Sequence, residues 1–151
     1  IRDSSTSRGL GDVYKRQILL AHTSWYSEYI KKMIEISSKI IQEMGFSIDS
    51  IKAPGSLELA ALAKSKILKN SAEYSGVLFL GIVVRGDTSH YDLVTNETFR
   101  CIGDLSMEFV DVAFINNVLC VENEQQLIER LEKNTANNSK ALLSLINEKS
   151  S

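Results

Sequence analysis

The chain has 151 residues, of which 44% are hydrophobic, 24% are charged and 7% are aromatic, and its formal net charge is −2. This composition excludes an intrinsically disordered or collagen-like chain, and the length is typical of a single domain. No apolar run approaches the roughly 20 residues that cross a bilayer, and no block is basic enough to predict nucleic-acid binding. Two cysteines, Cys101 and Cys120, are too few for a disulfide framework or a structural zinc site. We interpret them as buried thiols in a reducing cytosol.

Residues 1–17, IRDSSTSRGLGDVYKRQ, show no helical or strand period and lack the apolar segment of a signal peptide. This lead carries four of the 17 basic and two of the 19 acidic side chains, which leaves 13 against 17, a net charge of −4, for the rest. The lead looks like translated sequencing adapter, so we interpret it as non-native and expect it to be disordered. The domain is predicted over residues 18–151, without its natural N-terminus.

Strands and helices alternate in the first half of the remainder. Residues 18–22 form a short apolar run that is typical of a buried strand. A helix follows, because apolar side chains recur at three- and four-residue steps from Ile30 to Met44 and Gly45 suits its end. Residues 46–53 predict a second strand that Pro54 and Gly55 terminate, and the Ala- and Leu-rich residues 56–69 predict the next helix.

The second half continues the alternation. The run 76–84, GVLFLGIVV, is nearly all apolar, as in a strand that is covered on both faces. A polar loop leads into a long helix from Tyr91 to beyond Leu105, residues 112–121 predict a fourth strand, and two helices close the chain, near 124–133 and 140–148. These repeats predict a three-layer α/β sandwich with a four-stranded parallel sheet and helices on both faces.

In such folds ligands bind at the carboxyl ends of the strands, and polar segments with Gly fall there at residues 23–27, 53–58 and 85–92. The most informative stretch is GIVVRGDTSHYD, residues 81–92. Gly86 permits an unusual backbone angle, and the N–H groups that follow it into a helix form a natural anion site. His90 is either an acid and base that works near neutral pH or a surface or capping histidine.

Three other side chains have both a structural and a functional interpretation. Glu58 lies in the first turn of a helix, where the dipole favours an acid, and it is also suited to accept hydrogen bonds from a polyol. Trp25 either packs in a core or an interface or stacks on a planar heterocycle. Arg130 either pairs with acids on its own helix or binds a phosphate.

Three segments in this order and spacing carry a resemblance to a known family: APGSLELA, then LGIVVRGDTSHYDLVTNET, then NNVLCVENEQQLIER. They resemble lumazine synthase, a transferase with a flavodoxin-like fold, and the likeness extends over about residues 18–149. The resemblance implies condensation of 5-amino-6-(D-ribitylamino)uracil with 3,4-dihydroxy-2-butanone 4-phosphate to 6,7-dimethyl-8-ribityllumazine, phosphate and water. This is the penultimate step of riboflavin biosynthesis, and the family performs it in the cytoplasm without a metal or an organic cofactor.

The resemblance also implies the site residues. His90 takes the position of the acid and base. The substrate-binding positions are Trp25, Ser56, Leu57, Glu58, Ile82, Val83, Val84, Asp87, Thr88, Asn116 and Arg130.

Each part of this set has an implied role. Trp25 stacks on the pyrimidine, the SLE segment holds the uracil and the ribityl chain, and the end of the third strand contacts the pyrimidine through its backbone. Asp87 and Thr88 belong to the loop that binds the phosphate. Asn116 and Arg130 reach the same site from a neighbouring subunit, and Arg130 pairs with the phosphate.

Family members assemble as pentamers, decamers or sixty-subunit shells, so the resemblance implies a homo-oligomer. We expect a pentamer, with riboflavin synthase as a candidate partner.

Ser24, Ala60 and Asn117 depart from the family's commonest residues, which are Arg, Pro and Gly. The alternative function is a non-catalytic protein of the same fold that binds a flavin or lumazine or forms a shell. A carrier would need neither an acid and base nor a phosphate clamp.

Overall fold

The computed structural model describes residues 17–70, 74–87 and 89–150. In chain order its elements are β1 (Gln17–His22), α1 (Ser27–Glu43), β2 (Ser47–Lys52), a single 3-10 turn (Ser56–Glu58), α2 (Leu59–Lys69), β3 (Tyr74–Val84), α3 (Tyr91–Glu108), β4 (Ala113–Val121) and α4 (Glu124–Ser150). Apart from Gln17, which begins β1, the N-terminal lead lies outside the described residues, so its non-native character stays a prediction. No helix in the described ranges has both the length and the apolarity to span a membrane.

The four strands form one parallel sheet in the order β2-β1-β3-β4. Side chains alternate across it: Ile18 and Leu20 of β1 pack with α1 and α4, whereas Leu19 and Ala21 pack with α2 and α3. Every residue of β3 except Ser75 is buried, as expected of a central strand with helices on both faces. The predicted three-layer α/β sandwich is confirmed.

The apolar period of α1 positions this helix on the sheet. Its buried side chains are Ile30, Met33, Ser37 and Ile41, which follow one another at steps of three, four and four residues on one face. Gly45 has a φ of 88°, a left-handed conformation that ends the helix and turns the chain into β2. The predicted C-terminal stop is therefore confirmed.

The last helix differs from the prediction. Residues 124–150 form one continuous helix of 27 residues rather than two. The polar segment NTANNSK had suggested a break, yet Thr135 and Ser139 are fully buried. The Ser139 hydroxyl donates to the Thr135 carbonyl (2.7 Å) and lies 3.1 Å from the Ser37 hydroxyl of α1. Because their hydrogen-bonding groups have partners, these residues continue the helix across the sheet instead of ending it.

Candidate active site

The carboxyl ends of β1, β2 and β3 open into one cavity of about 580 Å³. Its walls come from residues 25 and 26 after β1, residues 55–58 after β2, residues 82–84 and Asp87 around the end of β3, and Val94 in the first turn of α3. This is the edge of the sheet at which a parallel α/β fold is expected to bind its ligand. Eight of the twelve predicted site residues lie in this wall: Trp25, Ser56, Leu57, Glu58, Ile82, Val83, Val84 and Asp87.

Trp25 stands on the rim of the cavity. The N–H of Thr23 donates to the Leu80 carbonyl (3.1 Å), which holds the end of β1 against β3 before the chain turns away. Tyr26 then adopts a left-handed conformation with a φ of 57°, caps α1 and also lines the cavity. With 68% of its surface exposed, Trp25 does not pack in the core of this chain. An indole face is therefore open to a planar ligand.

The segment after β2 brings Ser56, Leu57 and Glu58 against β3. The N–H of Glu58 donates to the Gly55 carbonyl (3.2 Å), which closes the 3-10 turn. A side chain at Gly55 would place its Cβ 3.1 Å from the Glu58 carboxylate, so the glycine lets this carboxylate fold back over the turn. A Cβ at Gly81 of β3 would lie 3.5 Å from the Ser56 hydroxyl, which shows how closely the turn approaches the central strand. This part of the cavity wall thus presents a carboxylate beside an apolar surface.

The end of β3 forms the floor. Ile82, Val83 and Val84 are nearly buried and line the cavity. A turn follows, in which the N–H of Asp87 donates to the Val84 carbonyl (3.2 Å) and Gly86 has a φ of 97°. The predicted unusual backbone angle at Gly86 is confirmed, and other residues adopt this conformation only with strain. Thr88, the next predicted residue, lies outside the described residues.

His90 lies at the far end of the same loop. It precedes α3 and its carbonyl accepts from the N–H of Val94 (2.8 Å), but its side chain makes no capping hydrogen bond. The side chain is exposed and lines a second depression of about 340 Å³, together with Arg85 and residues 89–93. The structure therefore does not place His90 in the wall of the larger cavity, and the two depressions share the loop between Arg85 and His90.

Asn116 and Arg130 do not line the cavity of their own chain. Asn116 lies in β4, an edge strand, and its carboxamide oxygen accepts from the N–H of Val118 (2.8 Å). Arg130 is exposed on α4 and forms no ion pair with another described residue, so the predicted pairing with acids on its helix is not seen. Their role at a site between subunits stays a prediction.

The residues that the sequence did not single out for the cavity are Tyr26, Gly55 and Val94. Val94 lies in the first turn of α3, and the apolar periodicity that predicts this helix does not show that Val94 lines a cavity. Within the described ranges, no group of three or more His, Cys, Asp or Glu side chains could hold a metal ion.

Comparison with known proteins identifies the relatives of this chain. A family model described as 6,7-dimethyl-8-ribityllumazine synthase matches residues 15–149. A protein of that name from Agrobacterium fabrum is 31% identical over 122 residues, which are 79% of this chain and 82% of the relative. A second, from Bartonella tribocorum, is 32% identical over 82% of this chain and 80% of its own length. A third relative, 6,7-dimethyl-8-ribityllumazine synthase 1 from Rhizobium meliloti, is 32% identical over 77% of each chain.

Proposed function

The chain belongs to the 6,7-dimethyl-8-ribityllumazine synthase family, and we propose that the cavity at the carboxyl ends of β1, β2 and β3 is its active site. The enzyme is a transferase of riboflavin biosynthesis. It condenses 5-amino-6-(D-ribitylamino)uracil with 3,4-dihydroxy-2-butanone 4-phosphate and forms 6,7-dimethyl-8-ribityllumazine, phosphate and water. The observation that carries the assignment is the convergence of eight predicted site residues on one cavity.

The lining of the cavity suits the uracil substrate. The exposed indole of Trp25 offers a stacking surface, while Val83 and Val84 provide an apolar floor at the end of β3. The Glu58 carboxylate accepts hydrogen bonds, so it is suited to the hydroxyl groups of the ribityl chain. A stacking surface and an apolar floor beside a carboxylate acceptor suit a flat ring that carries a chain of hydroxyl groups.

The phosphate of the second substrate needs a cation from outside this cavity. The charged side chains in the described wall are Glu58 and Asp87, and neither is basic. A dianionic phosphate beside two carboxylates would be repelled unless an arginine or lysine approached it. Arg130 of a neighbouring subunit is the proposed cation, because it is exposed and without an ion-pair partner among the described residues of its own chain.

His90 is proposed as the acid and base. The amine of the uracil attacks the ketone, a Schiff base forms, phosphate leaves, and the second amine closes the ring. Each of these steps moves protons between N, C and O, and a histidine at the edge of the site is suited to relay them. The remaining acceleration comes from holding two reactants in contact.

The family implies small-molecule substrates and a homo-oligomer. We propose a pentamer, in which Arg130 and Asn116 of one subunit complete the site of the next and five such head-to-tail contacts close a ring. A cytoplasmic location and an association with riboflavin synthase are further proposals. The non-catalytic alternative is not favoured, because the relatives bear the name of the enzyme.

The test is to mix the purified protein with both substrates and follow the absorbance of the lumazine. Acceleration over the reaction without protein is expected. A protein that binds the lumazine stoichiometrically but does not accelerate its formation would be a carrier, and that result would contradict the proposal.

A further inference from the structure

Arg85 contacts four groups on two other segments of the chain. It is the first residue after β3, and its N–H donates to the Val121 carbonyl at the end of β4 (2.9 Å). Its Nε lies 2.9 and 3.1 Å from the two carboxylate oxygens of Glu122. Its Nη2 lies 3.5 Å from Asp92, and its guanidinium carbon is 4.2 Å from the centre of the Tyr91 ring.

These contacts join the two ends of the loop that carries His90. Tyr91 and Asp92 begin α3 directly after His90, whereas Arg85 follows β3 and directly precedes Gly86. The guanidinium therefore connects the two ends of the loop. We call the contacts of Arg85 with Tyr91, Asp92 and Glu122 the strap. It does not line the larger cavity, but it lines the smaller depression together with His90.

Glu122, the strongest partner of Arg85, is itself held in place. Its N–H donates to the Gln126 side chain (2.8 Å), and the N–H of Gln126 donates to the Asn123 side chain (2.9 Å). These two bonds cap the N-terminus of α4. The backbone of Glu122 is thus held at the start of α4, and Arg85 connects the loop to this residue.

We propose that Arg85 is a positioning residue, which holds the loop 86–90 and with it His90 in the geometry needed for proton transfer. The proposal rests on the proposed function of His90. In the described part of the loop, Gly86 has a left-handed conformation and the N–H of Asp87 closes a turn on the Val84 carbonyl. The ring of Tyr91 and the carboxylate of Glu122 suit the planar guanidinium of arginine better than the ammonium of lysine.

An effect of Arg85 on the position of the loop can be distinguished from an effect on protein stability, because the contacts of Arg85 are exposed to solvent. The side chains of Arg85 and Glu122 are 47% and 52% exposed, and ion pairs at such sites contribute little to the free energy of unfolding. Arg85→Met should therefore leave the unfolding transition and the oligomeric state as they are. A shift of a catalytic group by about 1 Å costs on the order of 100-fold in rate, so kcat should fall about 10- to 100-fold while both KM values change little.

A double-mutant cycle tests the mechanism. Glu122→Gln should also lower kcat. The double variant should be no slower than Arg85→Met alone, because both substitutions break the same ion pair. Arg85→Lys should recover part of the lost kcat. Arg100→Met is the matched control, since Arg100 also pairs with two acids on α3, Glu97 and Asp104, but lies outside the loop. An unchanged kcat in Arg85→Met overturns the proposal, and so does a raised KM for the phosphate substrate at constant kcat, which would make Arg85 a substrate ligand.

Amide hydrogen exchange gives a readout that needs no activity. In Arg85→Met, the amides of residues 86–94 should exchange faster, including the Val94 N–H that bonds to His90, while those of β1 and β3 should not change. If the wild-type protein lacked activity, the proposed function would fail, and this measurement would still decide whether Arg85 holds the loop. Unchanged exchange in this segment overturns the strap.

Discussion

The side-chain amide of Asn117 donates a 3.0 Å hydrogen bond to the Thr135 hydroxyl, and neither residue is more than 1% exposed. Asn138 donates in turn to the Asn117 carboxamide oxygen (2.7 Å). These bonds connect β4 to the middle of α4 through the interior of the protein. Asn117 thus lies at the centre of a buried polar network between β4 and α4.

Thr135→Val should destabilise the protein, because it removes the acceptor of a buried amide without changing the shape of the side chain. The expected loss is about 1–3 kcal/mol in the free energy of unfolding. Thr135→Ser is the matched control, since it keeps the hydroxyl and removes a methyl group at a cost of about 1 kcal/mol. Urea unfolding measures both, and a Val variant as stable as the wild-type protein would contradict the network.

Tyr74→Phe should produce a pH-dependent loss of stability. The Tyr74 hydroxyl donates to the Asp49 carboxylate and is the main reason that the pKa of Asp49 lies below its ordinary range; Lys66, 3.5 Å away, adds to the effect and burial opposes it. A lowered folded-state pKa gives stability that is present above the unfolded pKa of about 4 and is lost as the pH falls through the folded value.

The Phe variant should therefore be less stable near neutral pH, by on the order of 1 kcal/mol, and the difference should shrink as the pH falls below about 4. Urea unfolding of both proteins at two pH values measures the difference. Lys66→Met should show the same trend with a smaller amplitude, since Lys66 is a lesser cause of the lowered pKa of Asp49. A difference that stays constant with pH would show that Tyr74 acts by packing alone.

Trp25→Ala should weaken binding of the uracil substrate. Loss of a stacking partner costs about 0.5–1.5 kcal/mol beyond the lost contact area, so the KM for this substrate should rise about 10-fold while that for the phosphate substrate stays similar. Trp25→Phe should remain close to wild type, because it keeps an aromatic face. Equal effects of Ala and Phe on KM would exclude stacking.

His90→Asn and Arg130→Ala should each lower the rate, and a mixture of the two should regain part of it. If a site combines His90 of one subunit with Arg130 of the next, random mixing in a ring restores about one site in four. His90→Asn removes proton transfer and should lower kcat by on the order of 100-fold. Arg130→Ala should chiefly raise the KM for the phosphate substrate.

The subunits are unfolded together, refolded as a mixture and assayed, with each variant refolded alone as the control. His22→Asn is a further control, because the ring of His22 bonds to the neighbouring Thr23 carbonyl (3.0 Å) and does not line either depression. If the mixture is no more active than its components, the two residues do not belong to a shared site.

Much of the fold could be predicted because the signals are local. Continuous apolar runs such as GVLFLGIVV predict central strands, and the period of Ile30, Met33 and Ile41 predicts the buried face of α1. Parallel strand order then places residues 23–27, 53–58 and 85–92 at one edge of the sheet. The cavity residues in these three segments could therefore be assigned to one site from the sequence.

The errors occur where a residue's state depends on a distant partner. The segment NTANNSK reads as a break between helices, but Thr135 and Ser139 find partners in Asn117 of β4 and Ser37 of α1, so α4 continues. The composition of the segment cannot reveal those partners, which are up to 102 residues away in sequence.

The sequence alone was sufficient for the alternating α/β order, the family resemblance and the residue types at the strand ends, because periodicity and motif spacing are properties of neighbouring residues. Three matters depended on the tertiary structure: Trp25 lies on an open rim, His90 faces a depression beside the main cavity, and Arg85 straps the loop to the end of β4. The physical reason is that exposure and long-range contacts follow from how strands and helices pack, and packing brings together residues that no local pattern connects. The charged side chains of the described cavity wall are the carboxylates of Glu58 and Asp87, and the proposed cation comes from a neighbouring subunit.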